Sequence, residues 1–250
     1  MNRIAIWSGK GGSGKTTTAI NLAAALAEKG SSVLVLDLDG QASLTRALGV
    51  SPENGLLDAI RAGSGLDALA RPTPIPGARL IPGGPEMDQA ERILAGEVGA
   101  DRLLDQAIAK TGPADWLLID CSPGVSTLNV SALATARLHL APVDARPISS
   151  ETLGDTLALA DGIRSRINAE LVSRIVITRT TRIRASAGIS EGIRIEFGSD
   201  VLTTEIPERA ALVDASAMKI SVLEADPDNP ASTAYRELAD EVSSVMQGGE

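Results

Sequence analysis

The feature that most constrains this chain is a glycine-rich segment directly after its first apolar run. The run covers positions 3–8, the segment GKGGSGKTT covers positions 9–17, and a helical pattern of apolar residues follows. The spacing from Gly9 to Thr16 matches Gly-x-x-x-x-Gly-Lys-Ser/Thr, in the strand–loop–helix context that this motif requires. The sequence therefore predicts a phosphate-binding loop between a strand and a helix.

Each residue type in this loop has its own physical role. Glycines let the backbone turn tightly and bring successive N–H groups to phosphate oxygens, and the start of the following helix adds positive potential. We expect the Lys15 ammonium at the β- and γ-phosphates and the Thr16 hydroxyl on Mg²⁺. A glycine-rich turn without a ligand is the alternative. The residues predicted to bind the nucleotide here are Gly11, Gly12, Ser13, Gly14, Lys15, Thr16 and Thr17.

A second lysine, Lys10, lies inside the loop at a position where the motif accepts any residue. The segment KGGSGKTT over positions 10–17 resembles the deviant Walker A motif of the ParA/MinD family of dimerising ATPases. The resemblance implies an ATP-dependent sandwich homodimer, in which Lys10 crosses the interface to the partner's nucleotide. A solvated loop lysine is the alternative for this residue.

Two further segments place carboxylates directly after apolar runs. The run at 32–37 leads into DLDGQ at 37–41, which contains Asp39, and the run at 116–119 ends in Asp120. Such runs indicate buried parallel strands, and ligands bind at the carboxyl ends of strands in open α/β sheets. Asp120 has the form of a Walker B acid, which holds Mg²⁺ through water.

The segment at 37–41 resembles the family's Asp-x-Asp-Pro-Gln segment, which implies that Asp39 lies near the metal and positions the attacking water. Gly40 stands where proline is usual, and we expect it to make the loop looser. A polar turn is the alternative. The predicted catalytic residues are Lys10, Lys15 and Asp39, and the predicted metal-site residues are Thr16, Asp39 and Asp120.

The resemblance extends through the second half of the chain. Residues 122–124 resemble the family's switch segment, and 203–215 resemble the Ile-Pro-Arg-x-x-x-Leu-x-Glu-Ala segment of Soj-type ParA proteins, with Glu208 and Ala211 where those proteins often carry arginine. By this resemblance, the residues beside the adenine are Thr178, Ile206, Pro207 and Arg209.

Charge is unevenly distributed along the chain. The net charge is −9, which argues against a surface covered by nucleic acid. Between Arg164 and Arg194, however, seven arginines and two glutamates leave +5. A compact basic face there would hold double-stranded DNA non-specifically and with steep salt dependence; a solvated face with internal ion pairs is the alternative. The predicted DNA contacts are Arg164, Arg166, Arg174, Arg182, Arg184 and Arg194.

The alternation of buried strands and helical patterns predicts an α/β fold: a single doubly wound, mostly parallel sheet flanked by helices, in one P-loop domain over residues 1–250. Helices are expected over 85–110 and 149–167, among others.

The single cysteine, Cys121, excludes a thiolate cluster within one chain. We interpret Cys121 as a small buried residue and His139 as a core-edge histidine. The chain enters its first strand at once and has no apolar run of ~20 residues, so we expect a cytoplasmic protein without a signal peptide.

The resemblance implies an ATPase for chromosome or plasmid partitioning, with ATP and Mg²⁺ as cofactors, nucleoid association, and hydrolysis stimulated by a ParB-like protein. The same ATPase could instead position a protein cargo on the nucleoid. A MinD-like membrane regulator would need a basic amphipathic C-terminal helix, whereas residues 237–250 are acidic. A tyrosine-kinase relative would need a tyrosine cluster, and only Tyr235 is present. An amidoligase would need a further domain, for which we expect no room.

Overall fold

The computed structural model describes residues 1–94, 96–97, 99–146 and 150–248. Its strands are β1 (Asn2–Ile6), β2 (Val33–Asp37), β3 (Arg71–Pro72), β4 (Ala78–Ile81), β5 (Trp116–Asp120), β6 (Leu138–Asp144), β7 (Val172–Thr180) and β8 (Val201–Pro207). Its helices are α1 (Lys15–Glu28), α2 (Ser43–Ala47), α3 (Leu56–Arg61), α4 (Met87–Leu94), α5 (Ala100–Ala109), α6 (Thr127–Thr135), α7 (Ser150–Arg166), α8 (Arg184–Phe197), α9 (Ala210–Met218), α10 (Val222–Ala225) and α11 (Pro230–Met246).

The eight strands form one sheet in the order β3-β4-β2-β5-β1-β6-β7-β8. Only β3 and β4 pair in antiparallel fashion among the described strands; the other neighbours are parallel. The carboxyl ends of the seven parallel strands therefore share one edge of the sheet, where ligands bind in folds of this type. The predicted fold class is confirmed.

Side chains from successive residues of β1 enter opposite cores, as strand geometry requires. Ile4 and Ile6 belong to an apolar cluster that includes α1 and α11. Ala5 and Trp7 belong to a second cluster that includes α5 and α6. Because β1 is buried on both faces, it holds the loop that follows it in a fixed position.

The middle of the chain differs from the sequence prediction. The helix expected over 85–110 is two helices, α4 and α5, and Gly99 takes a left-handed φ of 73° before α5 begins. Residues 95 and 98 of that prediction lie outside the described residues. The helix expected from Ser149 is α7, and Ser149 itself lies outside the described part of the chain. The short elements β3 and α2 were not predicted.

Both edges of the sheet are protected. At one edge, β3 has two residues and ends in Pro72. At the other, the carboxylate of Glu241 on α11 accepts the N–H groups of Thr203 and Thr204 at 2.6 and 3.0 Å. The Arg194 guanidinium donates to the carbonyls of Leu202 and Thr203 at 2.9 and 3.1 Å. Side chains thus occupy the backbone groups of β8 that a further strand would use.

Among the helices of the described residues, none combines the length and the apolar character that a bilayer span requires.

Candidate functional site

The glycine loop connects β1 to α1 at the carboxyl edge of the sheet. Gly12 and Gly14 have left-handed φ angles of 75° and 98°, which favour glycine. A Cβ added to Gly11 or Gly12 would meet nothing within 4 Å, so both peptides face open space. No side chain caps the first turn of α1, which leaves its N–H groups directed at the volume in front of the loop. This cradle fits the phosphates of a nucleotide.

Lys15, the first residue of α1, is buried beneath the loop. Its Nζ donates to the carbonyl of Lys10 at 3.0 Å and reaches that of Ser8 at 3.4 Å. Burial lowers the pKa of Lys15, and the carboxylate of Asp120 opposes this effect. The Lys10 side chain is half-buried at the mouth of the loop and has no ion-pair partner in the described part of the chain. The structure therefore brings both lysines to one loop.

Asp120 ends β5 immediately below the loop. The Thr16 hydroxyl donates to Asp120 Oδ2 at 2.8 Å, while Asp120 Oδ1 is buried without a hydrogen-bond partner. Burial, and next the negative charge of Asp37, raise the pKa of Asp120 well above its ordinary value. An unpartnered buried carboxylate oxygen beside a threonine hydroxyl is a suitable set of hard ligands for Mg²⁺. Thr16 and Asp120 would hold the ion, which would neutralise phosphate charge.

The described residues contain no group of three or more acidic, cysteine or histidine side chains that could hold a metal. A cation beside Asp120 would therefore depend on phosphate oxygens and water for most of its ligands. This dependence is typical of Mg²⁺ sites that form with a bound nucleotide.

Asp37, the last residue of β2, and Asp39, two positions further along the chain, have different surroundings. Asp37 is fully buried and accepts from the N–H and the hydroxyl of Thr45 at 2.9 and 2.6 Å and from the N–H of Asp39 at 3.1 Å. Asp39 is half-buried, and its Oδ1 accepts from Gln41 N at 2.9 Å. Asp37 thus fixes the loop, and Asp39 remains accessible near Lys15 and Asp120. The anchoring role of Asp37 was not predicted.

Gly40 has a role that the sequence did not predict, because it lets this loop approach α4 closely. A Cβ on Gly40 would lie 1.9 Å from Asp88 Oδ1 and 2.9 Å from the backbone nitrogen of Asp88, on α4. The glycine is needed for this close approach between the loop and the helix. The proline of the resembling segment would not fit against α4 in this position.

The residues predicted at the adenine line one cleft of about 640 Å³ beside the loop. It includes Thr178, Ile206, Pro207 and Arg209, together with Gly14 and Thr17. Thr178 has a second role, because its hydroxyl donates to the carbonyl of Ser13 at 2.9 Å and so ties β7 to the loop.

An ionic cluster at the rim of this cleft was missed. Asp144 ends β6 and pairs with Arg146, whose Nη2 lies 2.5 Å from Asp144 Oδ2, and with Arg179 at 3.4 Å. Burial opposes ionisation of Asp144, but the hydrogen bonds and charge of Arg146 outweigh it and lower the pKa of the carboxyl. Arg179 holds a left-handed φ of 56°, which is uncommon for a residue with a side chain.

The arginines predicted to bind DNA do not form one compact face. Arg174 is near the start of β7 and Arg182 lies just past its end, so at about 3.3 Å per residue they are roughly 25 Å apart. Arg164, Arg174 and Arg194 form ion pairs with Asp161, Asp200 and Glu205. Arg182 and Arg184 are exposed at the carboxyl edge, and no ion pair within the described ranges involves them. The prediction of a single basic face is therefore corrected: Arg182 and Arg184 form one group at the carboxyl edge, and the other four predicted arginines lie apart from it.

The two residues interpreted as structural are buried. Cys121 is 1% exposed, and burial raises the pKa of its thiol. His139 is fully buried, rather than at the core edge, between Trp7 and Ser173. Trp7 and Asn129, which bind the loop after β5, were not singled out in the sequence.

A family model described as an AAA domain matches residues 1–173. The chain is 35% identical over 249 residues to the chromosome-partitioning ATPase Soj of Thermus thermophilus, covering 99% of this chain and 97% of that protein. It is 32% identical over 250 residues to the chromosome partitioning protein ParA of Caulobacter vibrioides, covering 96% and 93%. Both alignments extend across the strands and loops that form the site.

Among solved structures, cobyrinic acid a,c-diamide synthase from Mycobacterium smegmatis with bound ADP and magnesium superimposes with a TM-score of 0.87. It is 26% identical, and the match covers 100% of this chain and 97% of that one. The identity to that synthase chain is lower than the identities to Soj and to ParA.

The mostly parallel sheet, the glycine loop and the strand-end carboxylates define a P-loop nucleotide-binding protein. Within this class, the additional lysine in the loop and the similarity to Soj and ParA over almost the whole chain indicate one family. The chain belongs to the Soj/ParA group of the ParA/MinD family of ATPases. Its cofactors are ATP and Mg²⁺, and the glycine loop, Thr16 and Asp120 fit them.

Proposed function

We propose that this ATPase partitions DNA: ATP closes a homodimer, the dimer binds double-stranded DNA non-specifically on the nucleoid, and a ParB-like partner stimulates slow hydrolysis. The observation that carries the proposal is the pair of lysines in one loop. Lys15 lies under the loop and Lys10 lies at its mouth, half-buried and without an ion pair among the described residues. A second cation so placed is suited to a phosphate that approaches from another subunit.

The residues of one subunit would divide the chemistry among them. Loop N–H groups and Lys15 neutralise charge on the β- and γ-phosphates, and Lys10 adds charge across the dimer interface. Thr16 and Asp120 hold Mg²⁺, which supplies further charge neutralisation. Asp39 orients the attacking water, while Thr178, Ile206, Pro207 and Arg209 contact the base. One sheet runs through all these elements, which supports our proposal that residues 1–250 act as one domain.

The C-terminal helix favours this function over a membrane-bound regulator. In α11, the apolar residues Leu238, Val242 and Met246 are buried in the core that also contains β1 and α1. A helix whose apolar face is already covered is not available to lie in a bilayer surface.

The proposal is tested by dimerisation and DNA binding with a non-hydrolysable ATP analogue and Mg²⁺, each measured across a salt series. The parent protein should form dimers and bind DNA only with the analogue, with affinity that falls steeply with salt. Lys10→Ala should lose dimerisation and DNA binding together but still bind ATP. Lys110→Ala, which removes an exposed lysine after α5, is the matched control and should behave as the parent. A Lys10→Ala protein that dimerises normally would contradict the proposal.

A further inference from the structure

Within the described residues, the loop after β5, residues 122–126, is hydrogen-bonded to the phosphate loop and to the segment before it through a single residue, Gly124. Its N–H donates to the carbonyl of Gly9 at 3.2 Å. Its carbonyl accepts two hydrogen bonds, from Trp7 Nε1 at 2.8 Å and from Asn129 Nδ2 at 2.9 Å. Gly124 also has a left-handed φ of 79°. The backbone of Gly124 therefore makes three hydrogen bonds, and two of its partners, Trp7 and Gly9, lie on the segment that enters the phosphate loop.

Trp7 is itself fixed from behind by His139. The backbone of Trp7 pairs with β6 through a bond from its N–H to the carbonyl of Leu140 at 3.1 Å. Its own carbonyl accepts from His139 Nε2 at 3.0 Å, and the two rings lie 5.7 Å apart. Because a carbonyl only accepts, Nε2 carries the proton, and Nδ1 accepts from the hydroxyl of Ser173 at 3.2 Å.

The Trp7 indole is buried, so water does not compete for its hydrogen bond to the Gly124 carbonyl. Trp7 is 1% exposed, and an aliphatic or phenyl side chain in its place would fill apolar space without offering a donor. The Gly124 carbonyl would then accept a hydrogen bond from Asn129 only, and the switch loop, residues 122–126, would lose its side-chain hydrogen bond to the segment that precedes the phosphate loop. A tryptophan here thus has a role that packing alone does not require.

We propose that Trp7, held by His139, is a positioning residue that sets the switch loop against the phosphate loop for ATP hydrolysis. This inference rests on the proposed function, since it concerns the hydrolytic step of the same site. A shift of the phosphate loop on nucleotide binding would be transmitted through the indole to the Gly124 carbonyl. Among the described residues, the only hydrogen bond of the indole is the one to Gly124, and none joins it to the nucleotide cradle or to the strand-end carboxylates.

The chain offers a matched control, because its two tryptophans occupy different ends of the sheet. Trp116 begins β5, is 6% exposed, and pairs in register with Asn2 and Val33 at the amino edge. No hydrogen bond from its indole reaches any residue that the structure describes. Trp116→Phe and Trp7→Phe therefore remove similar buried volume, but only Trp7→Phe removes a donor to the switch loop.

Steady-state kinetics on the two variants test the inference. We expect Trp7→Phe to lower kcat about tenfold, the equivalent of one lost hydrogen bond to a positioned group. KM and the Kd of a non-hydrolysable ATP analogue should stay within about threefold of the parent, because the nucleotide contacts are intact. Trp116→Phe should leave kcat within about twofold. A Trp7→Phe enzyme that loses no more kcat than Trp116→Phe overturns the proposal.

A spectroscopic measurement separates this inference from the proposed function and does not depend on the folding of Trp7→Phe. In Trp116→Phe, Trp7 is the only indole, so its emission reports on the contact with Gly124. Adding the non-hydrolysable analogue with Mg²⁺ should change that emission, and the same addition to Trp116→Phe/Lys15→Ala should not. Unchanged emission in a protein that binds the analogue overturns the inference. A parent protein that hydrolyses no ATP contradicts the proposed function instead.

Discussion

At the scale of residues, the three acids at the ends of β2 and β5 have distinct surroundings, which indicate a different role for each. Asp120 is buried beside Thr16 with one oxygen unpartnered, Asp37 is fully hydrogen-bonded, and Asp39 is half-buried. A carboxylate that orients water must be accessible and must keep a lone pair free, and of the three Asp39 meets that requirement best.

Asp39→Asn should therefore stop hydrolysis while leaving nucleotide binding largely intact. The amide keeps an oxygen that can accept from Gln41 N, as Asp39 does at 2.9 Å, so the loop conformation is preserved. We expect kcat to fall by about two orders of magnitude or more, as for loss of a positioning or basic group. Single-turnover hydrolysis and analogue titration measure the two quantities. Parallel loss of binding would show that Asp39 has a structural role.

Thr45→Val should destabilise the fold through the buried carboxylate of Asp37. The Thr45 hydroxyl donates to Asp37 Oδ2 at 2.6 Å and accepts from Gly83 N at 3.0 Å. Valine has the same shape but removes the acceptor of Gly83 N and one of the two hydrogen bonds to Asp37 Oδ2, which keeps the N–H of residue 45, at a cost of about 1–3 kcal/mol. The urea midpoint measures this cost. The control Thr203→Val, at an exposed position on β8, should change the free energy of unfolding by less than about 0.5 kcal/mol.

The single histidine should make stability depend on pH below 6.5. Burial lowers the pKa of His139 from 6.5 to about 4, so the unfolded chain binds the proton more readily than the folded one. Stability contributed by neutral His139 is present above pH 6.5 and is lost as the pH falls towards 4, by about 3 kcal/mol in total. Urea unfolding of the parent and His139→Gln at several pH values isolates this term. A constant difference between them from pH 7 to 4 would falsify the assignment.

Sequence alone predicted those site residues whose roles depend on neighbours in the chain. Lys15, Thr16 and the glycines follow from one loop, and Asp120 follows from a strand that ends in acid. The hydrogen bonds from the Trp7 indole to the Gly124 carbonyl and from Gly83 N–H to the Thr45 hydroxyl could not be predicted, because each joins segments that are distant in sequence and meet only after the sheet has formed. Side-chain to backbone bonds of this kind leave no spacing pattern.

At the scale of elements, the same limit explains the errors in the middle of the chain. The pattern over 85–110 is helical throughout and both α4 and α5 contribute to one apolar cluster, but Gly99 takes a left-handed φ between the two helices. Close approaches between elements are equally hard to predict from sequence. The residue that a Cβ on Gly40 would meet is Asp88, which lies on α4, far from Gly40 in the sequence. Whether a loop glycine provides flexibility or room is decided by the element that packs on it.

Gly40→Ala should accordingly displace α4 or the loop and lower the melting temperature. A Cβ at that position meets a backbone nitrogen at 2.9 Å as well as the flexible Asp88 carboxylate, so a rotamer change alone does not relieve the overlap. Gly188→Ala is the matched control, because a Cβ there meets nothing within 4 Å inside α8. The control should stabilise by about 0.5–1 kcal/mol. Equal melting temperatures for the two variants would contradict this view of Gly40.

At the scale of the whole molecule, the division of the arginines predicts which end of the sheet meets DNA. Arg182 and Arg184 are exposed and outside every ion pair of the described residues, at the edge that carries the nucleotide site, whereas Arg174 is paired with Asp200 at 3.3 Å. A guanidinium that is already paired gains less from a phosphate. Proximity to the nucleotide also offers a route by which ATP could control DNA affinity.

Arg182→Ala/Arg184→Ala should therefore weaken DNA binding and reduce the slope of log affinity against log salt by about 2. Arg174→Ala should leave that slope nearly unchanged. Fluorescence anisotropy with labelled duplex DNA, in the presence of ATP analogue, measures both. If instead Arg164→Ala/Arg166→Ala reduces the slope and the Arg182/Arg184 variant does not, the DNA lies at the amino edge.

The protected borders of the sheet have a consequence for how copies of this chain can associate. With Pro72 at one border and Glu241 and Arg194 on the backbone of the other, strand-to-strand growth into fibrils is blocked even when the protein is crowded. Contacts between copies of this chain are therefore left to surfaces other than the two borders of its sheet.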